Sequence, residues 1–127
     1  MTGSISHGAP KTSAVSRKLE FHCPVEATVS VIGGKYKAII LYHLSHDDVL
    51  RFSQLQRYIP QATPKMLTQQ LRELEADGLI ARTVYPVVPP KTEYALTDYG
   101  ETLRPLVDNI CDWGRAYIER TGATLVE

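Results

Sequence analysis

Thr63 followed by Pro64 marks the start of a helix more firmly than any other pair in this chain. A hydroxyl at the N-cap accepts a backbone N–H that otherwise has no partner, and a proline at the first helical position gives up an amide that would go unbonded anyway. Behind that pair Leu67, Leu71 and Leu74 recur on one stripe, and Gly78 closes the segment after Asp77. The spacing predicts an amphipathic helix with Lys65, Gln69 and Arg72 opposite the leucines and Thr68 at the edge of that polar face. Glu73, Glu75 and Asp77 fall toward its flanks or far end.

Three helices are predicted ahead of it. Cys23-Pro24 reads as a helix start, with Val25, Val29 and Ile32 at helical spacing, and Gly33-Gly34 ends that helix because glycine enters left-handed conformations freely. Lys35 to Leu44 gives a second helix with Tyr36, Ile39, Ile40 and His43 or Leu44 facing inward, closed by turn formers from Ser45 to Asp48. After Leu50 and Arg51, which suit a short strand, Ser53 and Gln56 fit a capping box, with Leu55, Tyr58 and Ile59 buried. That short helix stops before Pro60, which leaves Pro60-Gln61-Ala62-Thr63 as a tight turn between two helices.

Downstream, β-favouring segments from Ile80 to Tyr85 and from Thr92 to Leu96 flank Pro86, Pro89 and Pro90, the pattern of a hairpin with a stiff tip. Thr97 is expected to cap a last helix running to about Arg120. Leu103, Leu106, Val107, Ile110, Trp113, Tyr117 and Ile118 make it apolar on two adjoining faces, more than a solvent-facing helix shows. The fold class is therefore mainly α with a small β-hairpin, in the order of a winged helix-turn-helix. The expected division is a mobile arm over 1–20, the winged domain over 21–97, a dimerisation helix over 98–120 and a tail over 121–127.

Composition bounds the function. The 127 residues suffice for one modest core, and 43% apolar with 22% charged residues is the balance of an ordinary soluble domain. Fourteen basic and fourteen acidic side chains cancel, so attraction to nucleic acid has to come from local patterning. No run approaches the roughly 20 apolar residues of a membrane span, and the Ser-, Gly- and Pro-containing start has no secretory core, so a cytoplasmic location is expected. Lys11, Arg17 and Lys18 in the arm are best read as a solvated tail.

In a helix-turn-helix the second helix presents its outer face to the major groove. Amide and guanidinium groups pair with adenine and guanine edges, which assigns Gln69 and Arg72 to base readout. Lys65 and Thr68 suit base or phosphate contact, and the amides after Thr63 suit a backbone phosphate. Arg82 and Lys91 bracket the proline tip and suit phosphates or the minor groove. The same fold also fits a winged-helix protein-interaction module that leaves the Lys65, Gln69 and Arg72 face free of DNA.

Several spaced motifs carry a wider likeness. Cys23-Pro24-Val25 through Ile32-Gly33-Gly34-Lys35-Tyr36-Lys37, then Leu67-Thr68 through Leu71-Arg72-Glu73-Leu74-Glu75-Ala76-Asp77-Gly78-Leu79-Ile80, resemble the HxlR-type branch of winged-helix regulators. Tyr85-Pro86, Pro89-Pro90-Lys91-Thr92-Glu93-Tyr94, Leu96-Thr97, Gly100 and Leu103 continue the resemblance, which spans about Cys23 to Tyr117. Tyr36 stands where a tryptophan is common, and the arm is longer than usual. The resemblance implies a homodimer on duplex DNA, joined by helices from both ends of the chain, on a near-palindromic operator with half-sites about 34–36 Å apart. Val25, Leu106, Ile110, Trp113 and Tyr117 are the expected dimer contacts.

Two cysteines are too few and too distant for a disulfide scaffold or a zinc site. Cys23, at the positive end of a helix dipole and beside His22, suits a reactive thiol, and in the resembling family this position senses oxidants, quinones or other electrophiles in some members and has no such role in others. The plain alternative is a half-buried cysteine acting as a small apolar group. Cys111 suits packing, or a disulfide with Cys23 of a second copy if the Cα atoms come within reach. His43 and His46 beside Asp47 and Asp48 read as a helix end entering an acidic turn, so neither metal nor cofactor is expected. Without a CxxC pair or a catalytic triad pattern, an enzyme is not expected either.

Overall fold

A computed structural model describes residues 19–126, and the mobile arm expected over 1–20, with Lys11, Arg17 and Lys18, lies almost wholly outside the described residues. The elements run α1 (Pro24–Ile32), α2 (Lys37–Asp47), β1 (Val49–Arg51), α3 (Phe52–Tyr58), α4 (Pro64–Ala76), β2 (Ile80–Tyr85), β3 (Lys91–Leu96), α5 (Asp98–Glu101) and α6 (Arg104–Thr121). The expected hairpin gains β1 as an outer strand, giving a three-stranded antiparallel sheet in the order β1-β3-β2. Leu50 stands opposite Tyr94, and both enter the core.

One cluster joins Ile40, Leu41 and Leu44 of α2 to Leu55, Ile59, Leu67, Leu71 and Leu74, with Leu79, Ile80 and Val107 completing it. Burying each such side chain is worth about 1.5–3 kcal/mol before entropy is counted. The α4 leucines are fully enclosed, so the stripe read from the sequence is the inner face of the helix. Gly78 adopts φ 79°, and Leu79 N–H donates to Leu74 O at 3.0 Å, a left-handed stop that aims the chain into β2.

Several local expectations are corrected. Neither Gly33 nor Gly34 is left-handed; a Cβ on Gly33 would collide with the Val29 carbonyl, and one on Gly34 would lie 2.5 Å from Gln70 Oε1. Helix α2 begins at Lys37 and continues to Asp47, stopping where Asp48 turns to φ 61°. The α3 cap is formed by Gln54, whose Oε1 accepts the Arg51 N–H at 2.8 Å, and not by Ser53 with Gln56. Gln56 is drawn elsewhere: its Nε2 donates to Ala62 O at 2.7 Å and Ile59 O at 3.3 Å. Tyr58 faces outward, stacked on His43 with its hydroxyl donating to Asp47 at 2.7 Å.

The expected single final helix is two. Thr97 caps the one-turn α5 by accepting from Gly100 N at 2.9 Å, and α6 restarts at Arg104 with Pro105 in its first turn. Arg104 spans the break, bonded to the Glu101 carboxylate on one side and the Ser45 carbonyl at the end of α2 on the other. Gly100 fits because its missing side chain lets the backbone touch the Leu79 carbonyl. Gly100→Ala is expected to destabilise the domain by about 1–3 kcal/mol through overpacking, read as a lowered thermal midpoint.

Candidate nucleic-acid interface

The turn before α4 is held from three sides. Thr63 Oγ1 accepts the Met66 N–H at 3.1 Å, Gln56 ties down Ile59 and Ala62, and Tyr36, buried where the resemblance favours tryptophan, donates its hydroxyl to Gln61 O at 3.2 Å. Pro64, Lys65, Thr68, Gln69 and Arg72 line one shallow solvent-facing groove, so the residues predicted for base and phosphate contact lie together. Among the described residues, neither Lys65 nor Arg72 has a carboxylate partner.

Beneath that face lies an arrangement the sequence did not reveal. Lys37, only 3% exposed, sends Nζ to Glu73 Oε1 at 2.6 Å. The other oxygen of Glu73 accepts from Gln69 Nε2 at 3.3 Å. Gln70 of α4 is buried beside them, its side chain against Gly34. The Gln69–Glu73 spacing of one helical turn was readable, whereas Lys37 on a different helix left no local signal.

Both predicted wing cations carry acidic neighbours. Arg82, opposite Tyr94, sits in the middle of the hairpin rather than at its tip, with Nε 3.5 Å from Glu75 Oε1. Lys91 does flank the tip; its Nζ lies 3.6 Å from Glu93 Oε2 and 4.7 Å from the centre of the Tyr85 ring. A hydrogen bond with Glu93 raises the pKa of the Tyr85 hydroxyl. Burial raises that of Tyr94, Arg82 and Arg72 oppose the rise, and Glu75 adds to it, so the α4 and wing guanidinium groups share one electrostatic neighbourhood.

The thiols occupy different surroundings. Cys23 is exposed at the N-cap of α1 and makes no side-chain cap bond. His22 turns to Glu26 instead, Nδ1 to Oε1 at 3.3 Å. Cys111 is half-buried in an apolar groove of about 290 Å³ between α2 and α6, beside Ile39, Tyr42, Ile110 and Ile118. No residue of α1 is buried; Val25 is 69% exposed, and on α6 Trp113 is 70% exposed and stacked on the exposed Tyr117. Ile110 is exposed and Leu106 half-buried. His43 stacks on Tyr58, His46 Nδ1 lies 3.0 Å from Tyr42 O, and among the described residues no group of three metal-ligating side chains converges. Nor, among them, is any helix long and apolar enough to cross a membrane.

Comparison with known proteins places these elements. The family model of the HxlR-like helix-turn-helix matches residues 31–122. An uncharacterised HTH-type transcriptional regulator of Bacillus subtilis, YtcD, is 54% identical over 103 residues, 81% of either chain. The solved structure of the redox regulator HypR in its oxidised form is 53% identical, with a TM-score of 0.70 over 74% of this chain and 96% of that one. Its reduced form is 52% identical, with a TM-score of 0.70 over 74% and 92%.

Because the Thr63 hydroxyl closes the N-terminus of α4, Thr63→Ala is expected to lower stability by about 1 kcal/mol and Thr63→Ser to restore it. Thermal unfolding followed by circular dichroism reads both, and equal midpoints for wild type and Thr63→Ala would remove the cap from the account.

Proposed function

The chain belongs to the HxlR-like helix-turn-helix family of transcriptional regulators, and on that premise we propose that it binds a near-palindromic operator as a cytoplasmic homodimer. It is a DNA-binding regulator and not an enzyme. The observation that carries the finer reading is the convergence of Lys65, Thr68, Gln69 and Arg72 in one groove on the side of α4 away from its leucines.

In this reading α4 lies in the major groove. Gln69 and Arg72 meet base edges, Lys65 and Thr68 meet a base or a phosphate, and of the amides after Thr63 the Lys65 N–H, left over once Thr63 accepts those of Met66 and Leu67, meets a phosphate oxygen. Arg82 and Lys91 extend the contact along the wing to the neighbouring backbone or minor groove. The exposed apolar residues of α1 and α6, with Val25, Ile110, Trp113 and Tyr117 among them, and the half-buried Leu106 supply the contact between two copies. Two-fold symmetry then sets the recognition helices about 34–36 Å apart.

Cys23 is the proposed sensor of a thiol-reactive molecule. Its exposure at the start of α1 supports this, as does the likeness to a redox regulator solved in oxidised and reduced forms. An electrophile would add to its sulfur with loss of the thiol proton. Diamide oxidises two thiols to a disulfide, the two electrons and two protons passing to its azo bond, which becomes a hydrazine. Cys111 of a second copy is the candidate second thiol, and a shift on a non-reducing gel that disappears in Cys111→Ser identifies it.

Fluorescence anisotropy against the duplex upstream of the protein's own gene tests the DNA reading. Arg72→Ala is expected to weaken binding by about 1–3 kcal/mol. Absence of binding by the wild type, or an unchanged affinity for Arg72→Ala, sinks it. For the thiol, diamide or a quinone is expected to alter operator affinity of the wild type and leave Cys23→Ser unaffected; identical responses refute sensing at Cys23.

A further inference from the structure

We propose that Glu73 is a positioning residue for sequence recognition: held by the buried Lys37, it fixes the side-chain amide of Gln69 so that Gln69 selects adenine. This rests on the reading of the α4 outer face as the base-reading surface. The three groups form a continuous chain, Lys37 Nζ to Glu73 Oε1 at 2.6 Å and Gln69 Nε2 to Glu73 Oε2 at 3.3 Å.

A glutamine amide presents a donor at one end and an acceptor at the other, and rotation about its last torsion exchanges them. An ionised carboxylate accepts only. Glu73 therefore dictates which end of Gln69 turns inward: the nitrogen faces the carboxylate and the carbonyl oxygen is left outward. One N–H is engaged with Glu73, so the remaining N–H and Oε1 are available together. That donor–acceptor pair complements N7 and N6 of adenine in the major groove.

The carboxylate can do this because Lys37 holds it. The Lys37 side chain is 4% exposed, whereas that of Glu73 is 19% exposed, so the ammonium lies beneath the helix and the carboxylate reaches up to its surface. Lys37 does not belong to the groove and acts only through Glu73. Its stem fits because residue 34 has no side chain: a Cβ there would fall 2.8 Å from Lys37 Cδ and 2.9 Å from Cε. Lys37 also offsets a negative charge that would otherwise oppose DNA phosphate. A polar helix face thus gains an orientation preference from a pair that is largely hidden under it.

Removing one member would strand the other's charge, so the test changes both. Duplexes bound from a randomised pool are sequenced for the wild type, Gln69→Ala, Lys37→Met with Glu73→Leu, and Lys37→Met with Glu73→Gln. The wild type is expected to prefer adenine at one position of each half-site. Gln69→Ala and the leucine double variant are expected to lose about tenfold of that preference while keeping the others, and the glutamine double variant, whose amide can turn either a donor or an acceptor to Gln69, to recover it only in part. If Gln69→Ala leaves every base preference intact, the base-reading role of Gln69 fails. If Gln69→Ala loses adenine selection while the leucine variant retains it, or if the lost base is not adenine, the role of Glu73 is overturned. Should the double variants not fold, side-chain 15N relaxation of the wild type decides: a Gln69 amide as ordered as that of Gln56 supports the proposal, and an order parameter below about 0.6 overturns it.

Discussion

Leu67, Leu71 and Leu74 are sealed in one cluster with Ile40, Leu41 and Leu44, and this contact between α4 and α2 determines what the rest of the chain is able to present. A helix with one stripe enclosed has no rotational freedom about its axis, so the polar side is fixed as firmly as the apolar one. The bonds around the turn then set where the helix begins, and Gly78 sets where it ends. Precision at the outer groove is therefore a property of the core and the turn together. Of the polar side chains that line it, Gln69 is tied in addition to Glu73.

Most of this was legible in the sequence because its signals are local. Thr63-Pro64, the leucine spacing and Gly78 all act within a helical turn or two, and the face they predict is the one that the structure presents. Legibility failed where a residue had competing partners. Gln54 and Gln56 both follow plausible cap positions, and the choice was made by the Ile59 and Ala62 carbonyls, which only the folded turn brings within reach of Gln56. Lys37 was unreadable for the same reason, since a lysine at a helix start looks solvated until a carboxylate from another helix closes over it. Gly33 and Gly34 were recognised as special, but for torsional freedom when the need is room. The proline in the first turn of α6 was an available signal for the break after α5, overlooked because the apolar pattern runs through it.

The two ends of the chain have a different character. Helix α1 buries none of its residues within a single copy, and α6 inserts only Val107 fully into the core. Their remaining apolar surface is not needed for the winged domain to close its own core, which separates the elements that position α4 from those whose apolar side chains stay exposed. Lys37 and Gly34 stand at the boundary between the two sets, directly after α1 and against α4.

The wing cations arrive already matched with carboxylates, Arg82 with Glu75 and Lys91 with Glu93. A phosphate approaching either one competes with an anion that is tethered nearby at no cost in translational freedom. The net gain from each contact is then a difference between two similar attractions, smaller than a lone cation would provide. For a regulator that must find one site among a great excess of unrelated duplex, weak indiscriminate adhesion shortens each mistaken visit. On the proposed reading, the overall charge balance of the chain, uninformative when read as a sum, would keep that search brief.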